Sequence, residues 1–269
     1  MRCSARILSF LVAVFASASC IAVRAQPPFT TEDSDVGEKG EFAVEIVNEH
    51  DLLQRSLYPN RRQNTAFVNI EYGLTKNVEI SAELPWLVIF NARGTDPRRF
   101  SGFSDLGLQL KARFRKEKEH SRWPALAAAF RIRFPTGDSV RSLGSGVTNY
   151  EFVGIAEKGV GRKVAVRMNG GILFAGNTEV GVLGITTHKG KLFSGGISVV
   201  KQYSKKLSLG AELTGVVSRN FDLSEGQLQT TMGGNYSLNK HFKLDFGVIA
   251  GRFPASPRVG GVAGLSLEF

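Results

Sequence analysis

Apolar and polar residues alternate along most of this chain. The run Leu106-Gly107-Leu108-Gln109-Leu110-Lys111-Ala112-Arg113-Phe114 is the clearest instance. Phe242-Lys243-Leu244-Asp245-Phe246-Gly247-Val248 and Leu228-Gln229-Thr230-Thr231-Met232-Gly233 repeat it. A period of two places successive side chains on opposite faces of a β-strand. Beyond residue 25 no segment shows a convincing helical period. The pattern predicts an all-β chain of twelve strands, at 41–49, 63–72, 78–88, 104–116, 124–134, 148–158, 163–174, 191–203, 207–218, 226–238, 241–251 and 259–269. Most match the roughly 9–11 residues that a tilted strand needs to cross a bilayer. Strands of ordinary globular proteins are shorter, about 5–6 residues.

The connections alternate in length. Short ones fall at 73–77, 117–123, 159–162, 204–206 and 239–240, and longer ones at 50–62, 89–103, 135–147, 175–190, 219–225 and 252–258. In a zigzag, every short link then lies at one end and every long link at the other. Short periplasmic turns and longer extracellular loops are the pattern of outer-membrane barrels. An even strand number also puts both ends of the barrel on the short-turn, periplasmic side. Residues 41–269 are therefore expected to form an antiparallel transmembrane β-barrel.

Residue type tells the two faces apart. One face carries Val78, Ile80, Ala82, Leu84 and Trp86; Leu106, Leu108, Leu110, Ala112 and Phe114; Leu126, Ala128, Phe130, Ile132 and Phe134; and Phe242, Leu244, Phe246 and Val248. These faces are assigned to lipid. The opposite faces carry Glu79, Ser81 and Glu83; Gln109, Lys111 and Arg113; Arg131 and Arg133; Lys243 and Asp245. Alternation alone fits a water-soluble barrel equally well. Strand length, the sorting of loop lengths and the N-terminal sequence favour lipid outside.

That N-terminal sequence has a positive start (Arg2, Arg6), an apolar stretch from Ile7 to Ala16, and Val23-Arg24-Ala25 before Gln26. It reads as a secretory signal peptide over residues 1–25, with Ala18 as an alternative cleavage point. Cleavage after Ala25 removes both cysteines, Cys3 and Cys20. A disulfide scaffold or a cysteine-rich zinc site in the body of the chain is thereby excluded. Residues 26–40 are polar and turn-rich, and are expected to be a flexible N-terminal segment. The last strand, ending Leu265-Ser266-Leu267-Glu268-Phe269, looks like the closing strand read by the outer-membrane barrel assembly machinery, with Phe269 as its signal residue.

Composition narrows the function classes. Hydrophobic residues are 42% of the chain, too many for a disordered protein. No apolar run is long enough for a membrane-spanning helix. The 34 Lys+Arg against 24 Asp+Glu could suggest nucleic acid, but the basic residues are dispersed and the chain is exported, so no nucleic-acid partner is expected. Arg55, Arg61, Arg62, Arg93, Arg98 and Arg99 make the first two long loops basic. They suit lipopolysaccharide phosphates, or they are an ordinary solvated surface.

Three turn and strand-end motifs carry a family resemblance. Tyr72-Gly73-Leu74-Thr75-Lys76-Asn77-Val78-Glu79-Ile80 runs on to Pro85. Gly102-Phe103-Ser104-Asp105-Leu106-Gly107-Leu108 follows with Lys111, and then Ala125-Leu126 leads to Phe134-Pro135-Thr136-Gly137-Asp138. In this order the chain resembles the outer-membrane barrels of the "MetA-pathway of phenol degradation" family, over most of its length after residue 25. The resemblance implies a transporter taking up aromatic compounds, with no catalytic residues and no cofactor.

Chemistry-bearing constellations are sparse. A serine hydrolase in the barrel wall needs Ser and His on adjacent strands with a third group orienting the imidazole. His50, His120 and His188 are expected in loops and His241 beside a short turn, so neither a catalytic nor a metal site is expected. The inward charges matter more. Glu79, Glu83, Lys111, Arg113, Arg131, Arg133, Lys243 and Asp245 are the candidate pore-lining residues, with Glu45 and Glu71 on the same wall. A charged interior must be hydrated or paired. Twelve strands lie between the filled eight-stranded barrel and the open porin. Two readings stay open: a narrow pore or binding cavity passing small solutes, and a salt-bridged closed barrel of structural or adhesin-like role. An outer-membrane lipid hydrolase is a distant third.

The topology is testable by single cysteines. An impermeant maleimide applied to whole cells should label Cys at Asn60 or Arg98, and not at Lys76 or Lys205. The reverse pattern would overturn the assignment.

Overall fold

A computed structural model describes residues 28–118, 121–174, 190–218, 221, 224 and 226–269. The expected signal peptide, His120, His188 and nearly all of loop 175–190 lie outside these residues.

The chain forms β1 (Phe42–Leu52), β2 (Asn60–Thr75), β3 (Val78–Asn91), β4 (Arg99–Phe103), β5 (Leu106–Arg115), β6 (Ala125–Phe134) and β7 (Asn149–Val160). It continues through β8 (Val164–Phe174), β9 (Lys191–Gln202), β10 (Leu207–Ser218), β11 (Gln227–Ser237), β12 (Phe242–Gly251) and β13 (Val259–Glu268). Each strand pairs antiparallel with the next, and β1 pairs with β13 from Ala43↔Glu268 to Leu52↔Val259, which closes the sheet into a barrel. β4 and β5 lie end to end along β3, so the wall has twelve staves. All twelve expected strands are present.

The differences have local causes. The expected strand 104–116 is β5, and the expected loop 89–103 holds an additional strand, β4, separated from β5 by Ser104 and Asp105. β3 pairs with β5 as far as Glu83↔Gly107 and with β4 from Trp86↔Phe103, registers that differ by one residue. Pro85 sits at the junction and has no N–H to give to the ladder. Opposite it the wall bulges at Asp105, whose carboxylate accepts from Gly137 N–H and Ser145 N–H and Oγ of the loop after β6. The strands flanking the first two long loops also run further than expected. His50 consequently lies within β1 rather than in a loop, its ring 6.4 Å from that of Phe90.

The face assignment matches the exposures. Leu108, Leu110, Leu244, Phe246 and Val248 are exposed on the outer surface, while Lys111 and Asp245 between them are buried. Aromatic rings gather toward the two rims. Phe42 and Tyr72 meet at 5.5 Å at the short-turn end, and Trp86 and Phe103 at 4.9 Å toward the other. The interior is not uniformly polar. Ala127, Ala129, Val153 and Ile155 form one inward apolar patch, and Leu87, Ile89 and Leu143 another.

An arginine at Leu108 or Phe246 should cost about 2–4 kcal/mol, because a guanidinium in hydrocarbon finds no partner. An arginine at Gln229, on the inner face, should cost much less. Urea unfolding of the variants in one lipid or detergent checks this, and equal penalties would overturn the face assignment.

Candidate functional site in the barrel interior

Residues 28–40, expected to be a flexible segment, lie inside the barrel. From Pro28, beside the middle of β11 and β12, the segment runs to the short-turn end, sweeping round the inner face to β2. Pro28 packs where Gly233 and Gly247 pair across β11 and β12, and a Cβ on either glycine would come within 2.7 Å of it. The N–H groups of Thr30 and Thr31 donate to the Glu212 carboxylate on β10, and Thr31 Oγ1 donates to Ser198 Oγ on β9 at 2.7 Å. Glu32 exchanges two bonds with Asn169 on β8: its N–H donates to Oδ1 at 2.6 Å and its carbonyl accepts from Nδ2 at 3.0 Å. At the lower end Gly37 N–H donates to Glu79 on β3 at 2.6 Å, and Gly40 N–H to the carbonyl of Gly73 on β2 at 2.8 Å. The physical reason is charge. The run Glu32-Asp33-Ser34-Asp35 meets a wall of inward bases.

Those bases include three of the candidate residues. Arg131 on β6 pairs with Glu32 and, at 3.0 Å, with Glu151 on β7. Its Nε donates to Gln109, which in turn donates to Glu32. Lys111 on β5 lies 3.2 Å from Asp33 and 3.5 Å from Glu32. Arg113 pairs with Asp35 at 2.9 Å. Arg167 on β8, 1% exposed, bridges Asp33 and Glu157. Burial alone would raise the Glu32 carboxyl, but Arg131 and Lys111 outweigh it and hold that group below its ordinary value.

The other candidates are distributed around this clamp. Glu79, Glu83, Lys111, Arg131 and Arg133 all line a cavity of about 340 Å³ beside the segment. Its remaining walls include Glu45, Glu49 and Glu71 with the apolar Phe29, Val47, Phe67 and Val262. Lys243 and Asp245 on β12 do not line it. Lys243 pairs with Glu268 at 2.6 Å and Asp245 accepts from Ser266 at 2.7 Å. Phe269 stands at the seam, where its N–H donates to the Phe42 carbonyl at 2.9 Å. His241 Nδ1 lies 2.8 Å from the carbonyl of Glu268 in the short-turn region.

Sequence reasoning passed over Arg167, Asn169, Glu212 and the acids of the N-terminal segment. The wall residues carried a signal, since each occupies a polar position in its strand's alternation. The segment carried only its charge, having no periodicity to place it.

Solved structures share this architecture. An outer-membrane channel from Pseudomonas putida F1 superposes with a TM-score of 0.67 over 91% of this chain and 100% of that one, at 12% identity. The KdgM porin, in complex with oligogalacturonate, gives 0.54 over 84% and 99%, also at 12% identity. The translocator domain of the autotransporter NalP from Neisseria meningitidis gives 0.50 over 87% and 90%, at 13% identity. The fold is that of an outer-membrane β-barrel. No family model and no curated protein matches the sequence, so the comparisons establish the fold and not the phenol-degradation family.

Removing the clamp's central cation should loosen the interior. Arg131→Ala leaves Glu32 and Glu151 without their shared counter-charge. The expected loss is about 2–3 kcal/mol, less than the 3–5 of a fully buried pair because the Arg131 side chain is 23% exposed. Adding Glu32→Gln to that variant should recover part of the loss in urea unfolding.

Proposed function

We propose that this barrel is a passive outer-membrane conduit for small solutes, narrowed by its own N-terminal segment. The observation that carries the reading is the cavity of about 340 Å³ inside the wall, lined by charges of both signs. A structural barrel of this width would be better served by an interior packed shut. The solved channel and porin with the same fold support the reading by analogy of architecture alone. No step requires a cofactor, and flow would follow the solute gradient.

The aromatic solutes implied by the family resemblance find some support in Phe29 and Phe67 on the cavity wall. The extracellular arginines are proposed to meet lipopolysaccharide phosphates. Phe269, exposed at the seam, is proposed to engage the assembly machinery.

The second reading, a closed barrel without conductance, is favoured by the ion pairs that bind residues 32–35 to the wall. Planar-bilayer recording on refolded protein separates the two. Small conductance steps are expected, and deletion of residues 28–37 should enlarge them several-fold. Silence over many insertions of both proteins would overturn the conduit.

A further inference from the structure

The charge of the short-turn end is one-sided. Its five links, between β2 and β3, β5 and β6, β7 and β8, β9 and β10, and β11 and β12, hold nine Lys and Arg against two acids, Glu117 and Glu119. The six links at the other end, with more than twice as many residues, hold eight against five. All nine cations are exposed. The ion pairs at this rim, Lys158 with Glu117 and Lys243 with Glu268, use strand lysines, and among the described residues none of the nine is paired with a carboxylate.

Seven of the nine fall on three consecutive links, from β5 to β10. Arg162 and Lys163 sit side by side after β7, and Lys205 and Lys206 after β9, with no acid in either link. The seam, where β1 meets β13, instead has Glu38, Glu41 and Glu268 close by. The rim is polarised, with its basic arc away from the seam.

A second observation ties this arc to lipid. Phe114, Trp123, Val160 and Tyr203, at the ends of the same strands, are each more than half exposed. The Arg115 guanidinium lies over the Trp123 ring at 5.6 Å, and the Lys201 ammonium over the Tyr203 ring at 4.9 Å. Against water these groups would leave apolar surface uncovered. At a bilayer edge, Trp and Tyr rest at headgroup level. They fix the depth of the arc, and the turn cations then stand among the phosphates just beyond it.

We propose that the rim from β5 to β10 binds anionic phospholipids of the periplasmic leaflet, of the phosphatidylglycerol class. Guanidinium and ammonium groups hold the headgroup phosphate through charge-assisted hydrogen bonds. Their alkyl stems lie along the upper carbons of the acyl chains. A zwitterionic headgroup brings its own ammonium, which the arc repels, so the preference is for net negative lipid. A soluble acidic protein would match the charge but has no use for aromatic rings held at the hydrocarbon edge. The inference is independent of whether the barrel conducts.

The two tryptophans of the chain lie at opposite rims, Trp123 on this arc and Trp86 beside Phe103, so quenching by brominated lipid reads each separately. The Trp86→Phe variant is refolded in mixed phosphatidylcholine and phosphatidylglycerol bilayers. Dibrominated phosphatidylglycerol should quench Trp123 as a lipid bound several-fold more tightly than dibrominated phosphatidylcholine. High salt should bring that preference close to one, because it screens the phosphate contacts. Adding Lys118→Gln/Arg122→Gln/Arg162→Gln/Lys163→Gln should do the same at low salt; all four side chains are exposed and lie outside the strands. In the Trp123→Phe variant those four substitutions should leave the quenching of Trp86 unchanged. Equal quenching of Trp123 by the two lipids would overturn the proposal, and is what a rim made for a soluble acidic protein would give. A preference that neither salt nor the substitutions move would overturn it as well. Should the substituted protein not refold, the salt series alone decides.

Discussion

A strand in hydrocarbon has no water to satisfy its backbone, so each N–H and C=O must find a partner in a neighbouring strand. This constraint closes the sheet, and everything else in the molecule follows from closure. The ladder from Ala43↔Glu268 to Leu52↔Val259 removes the two edges that an open sheet would present to lipid. Where the chain cannot meet the demand, it compensates locally. Pro85 interrupts the ladder of β3, and Asp105 opposite it is turned to gather three donors from the loop after β6.

Once the ring is closed, strand alternation decides what fills it. Apolar residues face out and charged residues face in, without regard to whether the enclosed charges can be matched. The inner bases of β5, β6 and β8 find only part of their counter-charge on the wall, as Arg131 does in Glu151 and Arg167 in Glu157. The acids of residues 32–35 meet them, so the interior is organised by electrostatics where a soluble protein uses apolar packing. Buried ion pairs of this kind add little net stability but strongly disfavour other arrangements. Here they define the path of a segment that forms no regular secondary structure.

The wall was legible because a period of two over ten residues is a strong signal, reinforced by the alternation of short and long links. The inward orientation of Lys111, Arg113, Arg131 and Asp245 followed from that alternation once strand length, the sorting of the links and the N-terminal sequence had put lipid outside. The position of residues 28–40 did not, since Thr30 to Gly40 has neither period nor apolar run. Its place depends on Arg131 and Lys111, residues about 80–100 positions away in the chain. The break at Asp105 was hidden for a related reason: a proline on one strand acts on the register of another. His50 was misplaced because β1 outlasts the apolar pattern used to delimit it.

The path of the N-terminal segment has a geometric consequence. Its contacts run from Gly247 on β12 round to Gly73 on β2, nearly the full inner circumference. The Cα path of a dozen residues has a limited reach, so these contacts set an upper bound on the circumference that the segment can span. Each added stave would lengthen the path that the same residues must cover. Because the segment leads directly into β1, one lip of the seam, it is tethered beside the place where the ring shuts. The strip of chain that contributes no strand to the wall thus acts as an internal belt, joining staves that never meet one another in the ladder.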